Sequence, residues 1–340
     1  MTERAIRVQN LRKQYPGRDK PVDAVNGLDL EVPVGECFGL LGPNGAGKTT
    51  TVEILEGLTP PTSGEVEVLG RNWRQHATEI RERIGVTLQE TRFPEKQTVR
   101  EVLSLFRSFY RHGLEPDEVI ARVSLETKAN SYVEQLSGGQ QQRLAVAVSL
   151  VGDPELLFLD EPTTGLDPQS RRQLWDVIRD LHNRGRTTVL TTHYMDEAER
   201  LCDRVAIIDQ GKVIALGSPP ELIARLGGEH IVEFALGGEA AALDVGVFRP
   251  IPSVLDARTE ADGYALTVGE PHLAIPALLD LLELENRPLA RLTTRQVSLE
   301  DVFVALTGRH LRDGDADEAS AAAREKPKRG RRGRAGAGRG

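Results

Sequence analysis

The sequence has little cysteine, few aromatic residues and no long apolar run. Its two cysteines, Cys37 and Cys202, lie far apart in apolar surroundings, which suits buried thiols in a reducing compartment better than a disulfide framework. No stretch approaches the roughly 18 consecutive apolar residues that a membrane-spanning helix needs, and no apolar signal-peptide core stands at the N-terminus. We therefore expect a cytoplasmic protein, and any contact with the inner face of a membrane must come through a partner.

The charge of the chain is unevenly distributed. The net charge is −8 overall, but residues 324–340 contain eight Lys or Arg and one Glu, so the preceding residues carry −15. An acidic body repels polyphosphate chains, which argues against nucleic acid as a partner. Residues 313–340 are poor in apolar side chains, so we expect a disordered basic tail, and attraction of residues 324–340 to anionic lipid is the alternative to a merely solvated end.

The order of apolar segments predicts an α/β fold. Between about residues 36 and 216, short runs rich in Val, Ile and Leu alternate with helical patterns, as in a buried parallel sheet with crossover helices. Two earlier segments alternate apolar and polar residues, which indicates a partly exposed antiparallel sheet. The predicted strands are Ile6–Tyr15, Val22–Val32, Glu36–Gly42, Arg83–Gln89, Leu156–Asp160, Thr187–Thr192 and Val205–Asp209.

Composition also suggests how the chain is divided. We expect a first α/β domain over residues 1–217, with a helical insertion at about 90–152 where strand signals are few. After Gly217 the pattern changes to short strands and one Leu-rich helix, Leu273–Leu284. This change predicts a small α+β accessory domain over residues 218–312, before the basic tail.

The strongest motif is a phosphate-binding loop. Residues 42–49 read Gly-Pro-Asn-Gly-Ala-Gly-Lys-Thr and lie between an apolar strand and a helix, which is the context that this pattern requires. Its glycines let backbone N–H groups close around phosphate oxygens, and the helix N-terminus adds partial positive charge. A plain helix-capping turn is the alternative. The predicted nucleotide contacts are Gly42, Pro43, Asn44, Gly45, Ala46, Gly47, Lys48, Thr49 and Thr50, with Lys48 on the β- and γ-phosphates and the Thr49 hydroxyl on Mg²⁺.

A second motif places two carboxylates at the end of a strand. The apolar run from Leu156 ends in Asp160 and Glu161, and the carboxyl end of such a strand faces the ligand crevice. Successive side chains of a strand point to opposite faces, so the two acids have different tasks. We assign Asp160 to the Mg²⁺ shell and Glu161 to the water that attacks the γ-phosphate. The alternative is a solvated loop start.

The third motif is Leu-Ser-Gly-Gly-Gln-Gln-Gln-Arg at residues 136–143. Ser137 and Gln140 have the spacing of a capping box, and Gly138 and Gly139 leave helix amides uncovered, which favours an anion. The motif lies about twenty residues before Asp160. It resembles the signature motif of ABC ATPases, the family of nucleotide-driven subunits of membrane transporters. The resemblance extends from about Ile6 to Gly217 and implies that residues 1–217 are a nucleotide-binding domain.

The resemblance assigns roles to further residues. It implies that Tyr15 stacks on adenine, that Gln89 senses Mg²⁺ and the membrane partner, that Asp167 touches the opposite subunit, and that His193 contacts the γ-phosphate. It also implies a head-to-tail pair in which each ATP lies between the phosphate loop of one chain and the signature helix of the other. A structural alternative exists for each residue, such as a helix cap for Asp167. The implied partners are a second copy and an integral-membrane permease.

The kind of transporter is suggested by two shorter segments. Residues 38–45 and 297–308 resemble the ATPases of drug-efflux exporters of the daunorubicin-resistance type. We therefore expect export of drugs, antibiotics or other hydrophobic compounds. An importer subunit and a non-transport regulator or scaffold are the alternatives. Tandem translation proteins and chromosome-maintenance relatives are disfavoured, because the chain has one phosphate loop and no long heptad insertion.

Overall fold

The computed structural model describes residues 3–17, 20–87, 91–237, 243–260 and 263–308. Gln89 and the basic segment 324–340 lie outside these residues, so the roles expected for them stay predictions. The strands are β1 Arg4–Tyr15, β2 Val22–Pro33, β3 Cys37–Leu41, β4 Ser63–Val68, β5 Ile84–Thr87, β6 Leu156–Asp160, β7 Thr187–Thr192, β8 Arg204–Asp209, β9 Lys212–Gly217, β10 His230–Leu236, β11 Val254–Glu260, β12 Gly263–Val268 and β13 Leu289–Gln296. The α-helices are α1 Lys48–Leu55, α2 Trp73–Arg81, α3 Val99–Arg107, α4 Pro116–Arg122, α5 Gly138–Leu150, α6 Pro168–Asn183, α7 Met195–Leu201, α8 Pro219–Ala224, α9 Pro271–Leu284 and α10 Leu299–Thr307.

A six-stranded sheet forms the centre of the molecule. Its order is β5-β6-β7-β3-β8-β9, and all neighbours are parallel except β8 and β9. Every residue of β3, β6 and β7 is buried, as expected for central strands covered on both faces. Because β6, β7 and β3 are adjacent and parallel, the loops at their carboxyl ends meet at one edge of the sheet.

The two faces of this sheet bury different parts of the chain. Successive side chains of a strand alternate between faces. Cys37, Leu157 and Leu190 therefore pack with helices α3 to α7. Phe38 and Phe158 pack on the other face, against the antiparallel sheet β2-β1-β4 and helix α1. The predicted α/β fold, with its antiparallel subdomain and helical insertion, is confirmed.

The C-terminal elements form a third sheet. It is antiparallel in the order β11-β12-β10-β13, and α9 covers it through Ala274, Leu278 and Leu282. Helix α10 then packs Leu299 and Phe303 into the core that contains α7 and α8. The proposed boundary near residue 217 stays a prediction, and the C-terminal sheet is tied to the central sheet by a helix that follows it.

No helix in the described part of the chain has the length and apolar character needed to cross a bilayer.

Candidate functional site

The phosphate loop connects β3 to α1. Gly42 has a φ of 155° and Gly47, which caps α1, has a φ of 100°. A Cβ at Gly42 would lie 2.2 Å from the Ile208 carbonyl oxygen, and one at Gly47 would lie 2.3 Å from that of Ala24. Both positions therefore need glycine for their conformation and for the close approach of neighbouring backbone. The resulting cradle fits a polyphosphate chain at a helix N-terminus.

Lys48 is held inside this loop. Its side chain is 4% exposed, and its Nζ donates hydrogen bonds to the carbonyl oxygens of Gly42 at 2.8 Å and Pro43 at 3.1 Å. Thr49 is exposed and Thr50 is half-buried on the first turn of α1. A buried ammonium beside uncovered helix amides gives the loop a positive centre, which is the charge that nucleotide phosphates require.

Asp160 ends the neighbouring strand β6. It is 7% exposed and accepts a hydrogen bond from the hydroxyl of Thr191, its partner across the β6-β7 pair. Burial, with help from the nearby Glu161, raises the pKa of Asp160, while the Thr191 bond and the charge of Lys48 act to lower it. A cation beside this carboxylate would offset the cost of its burial, so the donor set of Asp160 and the Thr49 hydroxyl suits a hard, oxygen-binding metal such as Mg²⁺.

Glu161 turns away from the strand and meets His193. Its φ is 45°, a conformation that non-glycine residues seldom adopt, and its N–H donates to the Thr191 hydroxyl at 2.9 Å. Its Oε1 lies 3.3 Å from His193 Nδ1, and Oε2 accepts from the Thr164 hydroxyl at 3.1 Å. The contact with His193 is the largest effect holding the pKa of Glu161 below its ordinary value, against burial. An ionised carboxylate is thus available to accept a proton.

The signature segment begins α5. Ser137 caps the helix, accepting from the Gln140 N–H at 3.3 Å, while Gln140 Oε1 accepts from the Ser137 N–H at 3.0 Å. The predicted capping box is therefore confirmed. A Cβ at Gly138 would meet nothing within 4 Å, whereas one at Gly139 would lie 2.3 Å from the Ser170 hydroxyl of α6. The first turn of α5 thus packs against α6 on one side and is open on the other.

Asp167 and Tyr15 occupy other parts of the surface. Asp167 is exposed and caps α6, accepting hydrogen bonds from the N–H groups of Gln169 and Ser170, both at 3.0 Å. The predicted cap is confirmed, and a role opposite a second subunit stays a prediction. Tyr15 ends β1 and is 37% exposed, with Lys13 Nζ 4.9 Å from its ring centroid. An aromatic ring exposed in this way is available for stacking on a base.

Two buried glutamates near the site were missed from the sequence. Glu56 follows α1 and is 6% exposed, and burial together with Asp160 raises its pKa to about 8. Glu197 of α7 is fully buried and accepts from Trp175 Nε1 at 3.0 Å. The signal for Glu56 was its position at the end of the phosphate-loop helix, and the signal for Glu197 was its place four residues after His193, but a lone Glu on a helix normally lies in solvent.

Comparison with known proteins places these features in a wider group. Residues 25–164 match the ABC transporter family. The Nod factor export ATP-binding protein I of Ralstonia nicotianae is 42% identical over 317 residues, which covers 91% of this chain and 95% of that protein. The protein of the same name from Cupriavidus metallidurans is 43% identical and covered to 99%.

Solved structures give the same picture for the fold. A dimeric, post-hydrolysis ATP-binding cassette, MJ0796, bound to ADP and Pi, has a TM-score of 0.57 at 28% identity and covers 63% of this chain and 98% of its own. A second is cbiO1 of Clostridium perfringens, part of the ABC transporter complex cbiONQ, with a TM-score of 0.58 at 29% identity, covering 65% of this chain and 91% of its own.

Proposed function

We propose that this chain drives export through a separate membrane permease. The proposal starts from the family, because the chain belongs to the ATP-binding subunits of ABC transporters. The chain is an ATPase whose hydrolysis is coupled to transport. Relatives more than 40% identical over nine-tenths of the chain are named for export of Nod factor, and this likeness supports the outward direction. Efflux of drugs or antibiotics, suggested by residues 297–308, is the narrower proposal for the cargo.

The nucleotide is proposed to lie on the loop of residues 42–50. Backbone amides of Gly45, Gly47 and Lys48 face the phosphates, the Lys48 ammonium neutralises them, and Tyr15 stacks on the base. Thr49 and Asp160 would hold Mg²⁺, which would neutralise negative charge on the phosphates during hydrolysis. Gln89 is proposed to join that metal shell on the strength of the family resemblance.

Hydrolysis is proposed to depend on the pair Glu161 and His193, and their 3.3 Å approach is the observation that carries the assignment. The ionised Glu161 carboxylate orients a water molecule and accepts its proton. His193 holds that carboxylate from one side and contacts the γ-phosphate from the other. Because Glu161 is fixed by its backbone bond to Thr191 and by Thr164, little reorganisation is needed during the reaction.

The second half of each ATP site is proposed to come from another copy of the chain. Ser137, Gly138, Gly139 and Gln140 begin a helix whose first turn is open on the side of Gly138, and such a helix start suits an anion. The related cassette was solved as a dimer, which supports this arrangement. Asp167 is proposed to lie at the same junction. Contact of residues 324–340 with anionic lipid remains a separate proposal that rests on their charge.

Two substitutions test the assigned roles. Glu161→Gln should lower phosphate release from ATP at least about a hundredfold, because the proton acceptor is lost, while equilibrium titration still shows ATP binding. Lys48→Ala should instead weaken nucleotide binding itself. Exposed Glu134→Gln is the control and should behave as the unchanged chain. Normal turnover in Glu161→Gln would refute the assignment.

The direction of transport is tested with the permease present. In inside-out membrane vesicles, added ATP should drive accumulation of the exported compound, with Nod factor and daunorubicin as the two labelled probes. The Glu161→Gln chain should give no accumulation. ATP-dependent uptake into right-side-out vesicles would contradict export, and accumulation of only one probe would decide between the two cargo classes.

A further inference from the structure

The interface between α6 and α7 contains a cluster of side chains next to His193 that the proposed chemistry does not use. Arg171 and Trp175 lie one turn apart on α6, and Tyr194 and Glu197 lie at the start of α7. Asp167, the residue assigned to the subunit junction, caps α6 one turn before Arg171. The cluster therefore joins the beginning of α6 to the residue that follows His193.

The Tyr194 ring is close to both His193 and Arg171. The Tyr194 and His193 ring centroids are 4.1 Å apart with an interplanar angle of 42°, and Arg171 Cζ is 4.4 Å from the Tyr194 ring centroid. The Nε of Arg171 is buried and has no hydrogen-bond acceptor among the described residues. A guanidinium over a half-buried ring is attracted by its quadrupole, more strongly where water is excluded.

The remainder of the cluster fixes α7 against α6. Glu197 is fully buried and accepts from Trp175 Nε1 at 3.0 Å, while the Arg200 guanidinium carbon lies 5.6 Å from the Trp175 ring centroid. Trp175 is itself 7% exposed. These contacts hold α7 against α6, so a change at Arg171 should act first on the orientation of Tyr194, although the charge of Arg171 also acts to lower the pKa of Glu197.

On this geometry we propose that Arg171 and Tyr194 are a positioning pair for hydrolysis. Arg171 holds the Tyr194 ring against His193, and the ring sets the imidazole at its distance from Glu161. The inference rests on the proposed role of His193. It extends that role by linking the imidazole to α6, the helix that Asp167 caps at the subunit junction.

The experiment compares neighbouring arginines of α6. Arg171→Met keeps an unbranched chain but removes the charge, and Arg172→Met is the matched control because Arg172 is exposed on the same helix turn. Arg171→Met should lower kcat on the order of tenfold with KM for ATP within about twofold. Arg171→Lys should recover part of the rate. Arg172→Met should leave both constants unchanged.

Two readouts separate positioning from general stability. The ring-proton NMR resonances of His193, assigned with His193→Ala, should move in Arg171→Met and not in Arg172→Met. In a double-mutant cycle, the effects of Tyr194→Leu and Arg171→Met on kcat should be non-additive. The double variant should have about the same kcat as the less active of the two single variants. Unmoved His193 resonances, additive losses, or a rise in KM in step with the fall in kcat would overturn the proposal.

The ATPase activity of His193→Ala separates the role of the positioning pair from the proposed role of His193. If His193→Ala hydrolyses ATP normally, the role of His193 is wrong, and the positioning pair has nothing to position. If His193→Ala is inactive while Arg171→Met behaves as Arg172→Met, only the positioning pair is refuted.

Discussion

Glu161 and Asp160 are consecutive carboxylates that the fold holds in different electrostatic surroundings. Asp160 stays in line with β6, where burial raises its pKa, whereas Glu161 leaves the strand and is held ionised by His193. Opposite shifts on adjacent acids are a means of assigning them separate chemical tasks. These surroundings support the proposed roles, with Asp160 binding the metal and Glu161 accepting the proton.

The raised pKa of Glu56 can be tested through the pH dependence of stability. Its Oε1 is buried without a hydrogen-bond partner among the described residues, and its pKa is raised to about 8 by burial, Asp160 and Glu53. An acid with a raised pKa in the folded state binds its proton more tightly there than in the unfolded chain. Its ionisation therefore costs stability as pH rises from the ordinary Glu value to about 8.

Replacing Glu56 should remove this pH dependence. Glu56→Gln should match the unchanged chain near pH ~4.5 and become the more stable protein as pH rises, by an amount on the order of a few kcal/mol at pH ~8. Urea unfolding at several pH values measures the difference. The control is Glu65→Gln, exposed on β4. A pH-independent difference for Glu56→Gln would show that Glu56 is ionised in the folded state.

Individual site residues could be predicted from the sequence where their spacing forms a motif. The phosphate loop, the acids after β6 and the capping box of α5 could be found because each requires residue types at fixed intervals. Glu56 and Glu197 could not, since their burial depends on which strands and helices pack above them. The approach of Arg171 to Tyr194 is likewise a product of α6 packing on α7, and no local pattern records it.

At the scale of single elements, helix α10 is held to the C-terminal sheet by one buried carboxylate. Asp301, in its first turn, is 1% exposed and accepts from Arg258 Nη2 at 2.7 Å and from Arg295 Nη1 at 2.6 Å. Burial acts to raise the pKa of Asp301, but these arginines and the Ser298 N–H hold it far below its ordinary value. The arginines come from β11 and β13, so one carboxylate joins two strands to the helix.

Removing that carboxylate charge should loosen the C-terminal sheet. Asp301→Asn leaves two arginines without their shared partner and should lower the free energy of unfolding by about 3 kcal/mol. Urea unfolding with Asp256→Asn, exposed on β11, as the control measures this. The contribution is present above the ordinary Asp pKa and is lost as pH falls through the depressed folded value. Equal stability of the two variants would contradict this account.

The bounds of the strands were largely predictable from the sequence, but the contacts between distant elements were not. Leu156–Asp160 and Thr187–Thr192 are strands with the predicted bounds, because fully buried strands are continuous apolar or β-branched runs. The predicted strand Glu36–Gly42 is shorter, Cys37–Leu41, since Gly42 takes a φ of 155° to begin the phosphate loop. The bond from the Ser298 N–H to Asp301 spans three residues and could have been predicted from the sequence, whereas the two arginines come from distant strands.

At the scale of the whole molecule, the proposed ATP site is divided between two copies. One chain offers a single phosphate loop and a single signature helix, whose Gly138 is exposed with open space around it. Adding a side chain there leaves the fold undisturbed, and an Asp at a helix start is favourable for the helix. Gly138→Asp should therefore keep the monomer intact and place a negative charge against the partner's nucleotide phosphates.

The most direct test is the mass of Glu161→Gln in sedimentation velocity with and without ATP and Mg²⁺. If two copies enclose the nucleotide, this variant should be a monomer without nucleotide or with ADP, a dimer with ATP, and a monomer again when Gly138→Asp is added to Glu161→Gln. A mass that does not change with ATP, or a dimer that forms equally well with Gly138→Asp, would contradict the claim that two copies enclose the nucleotide.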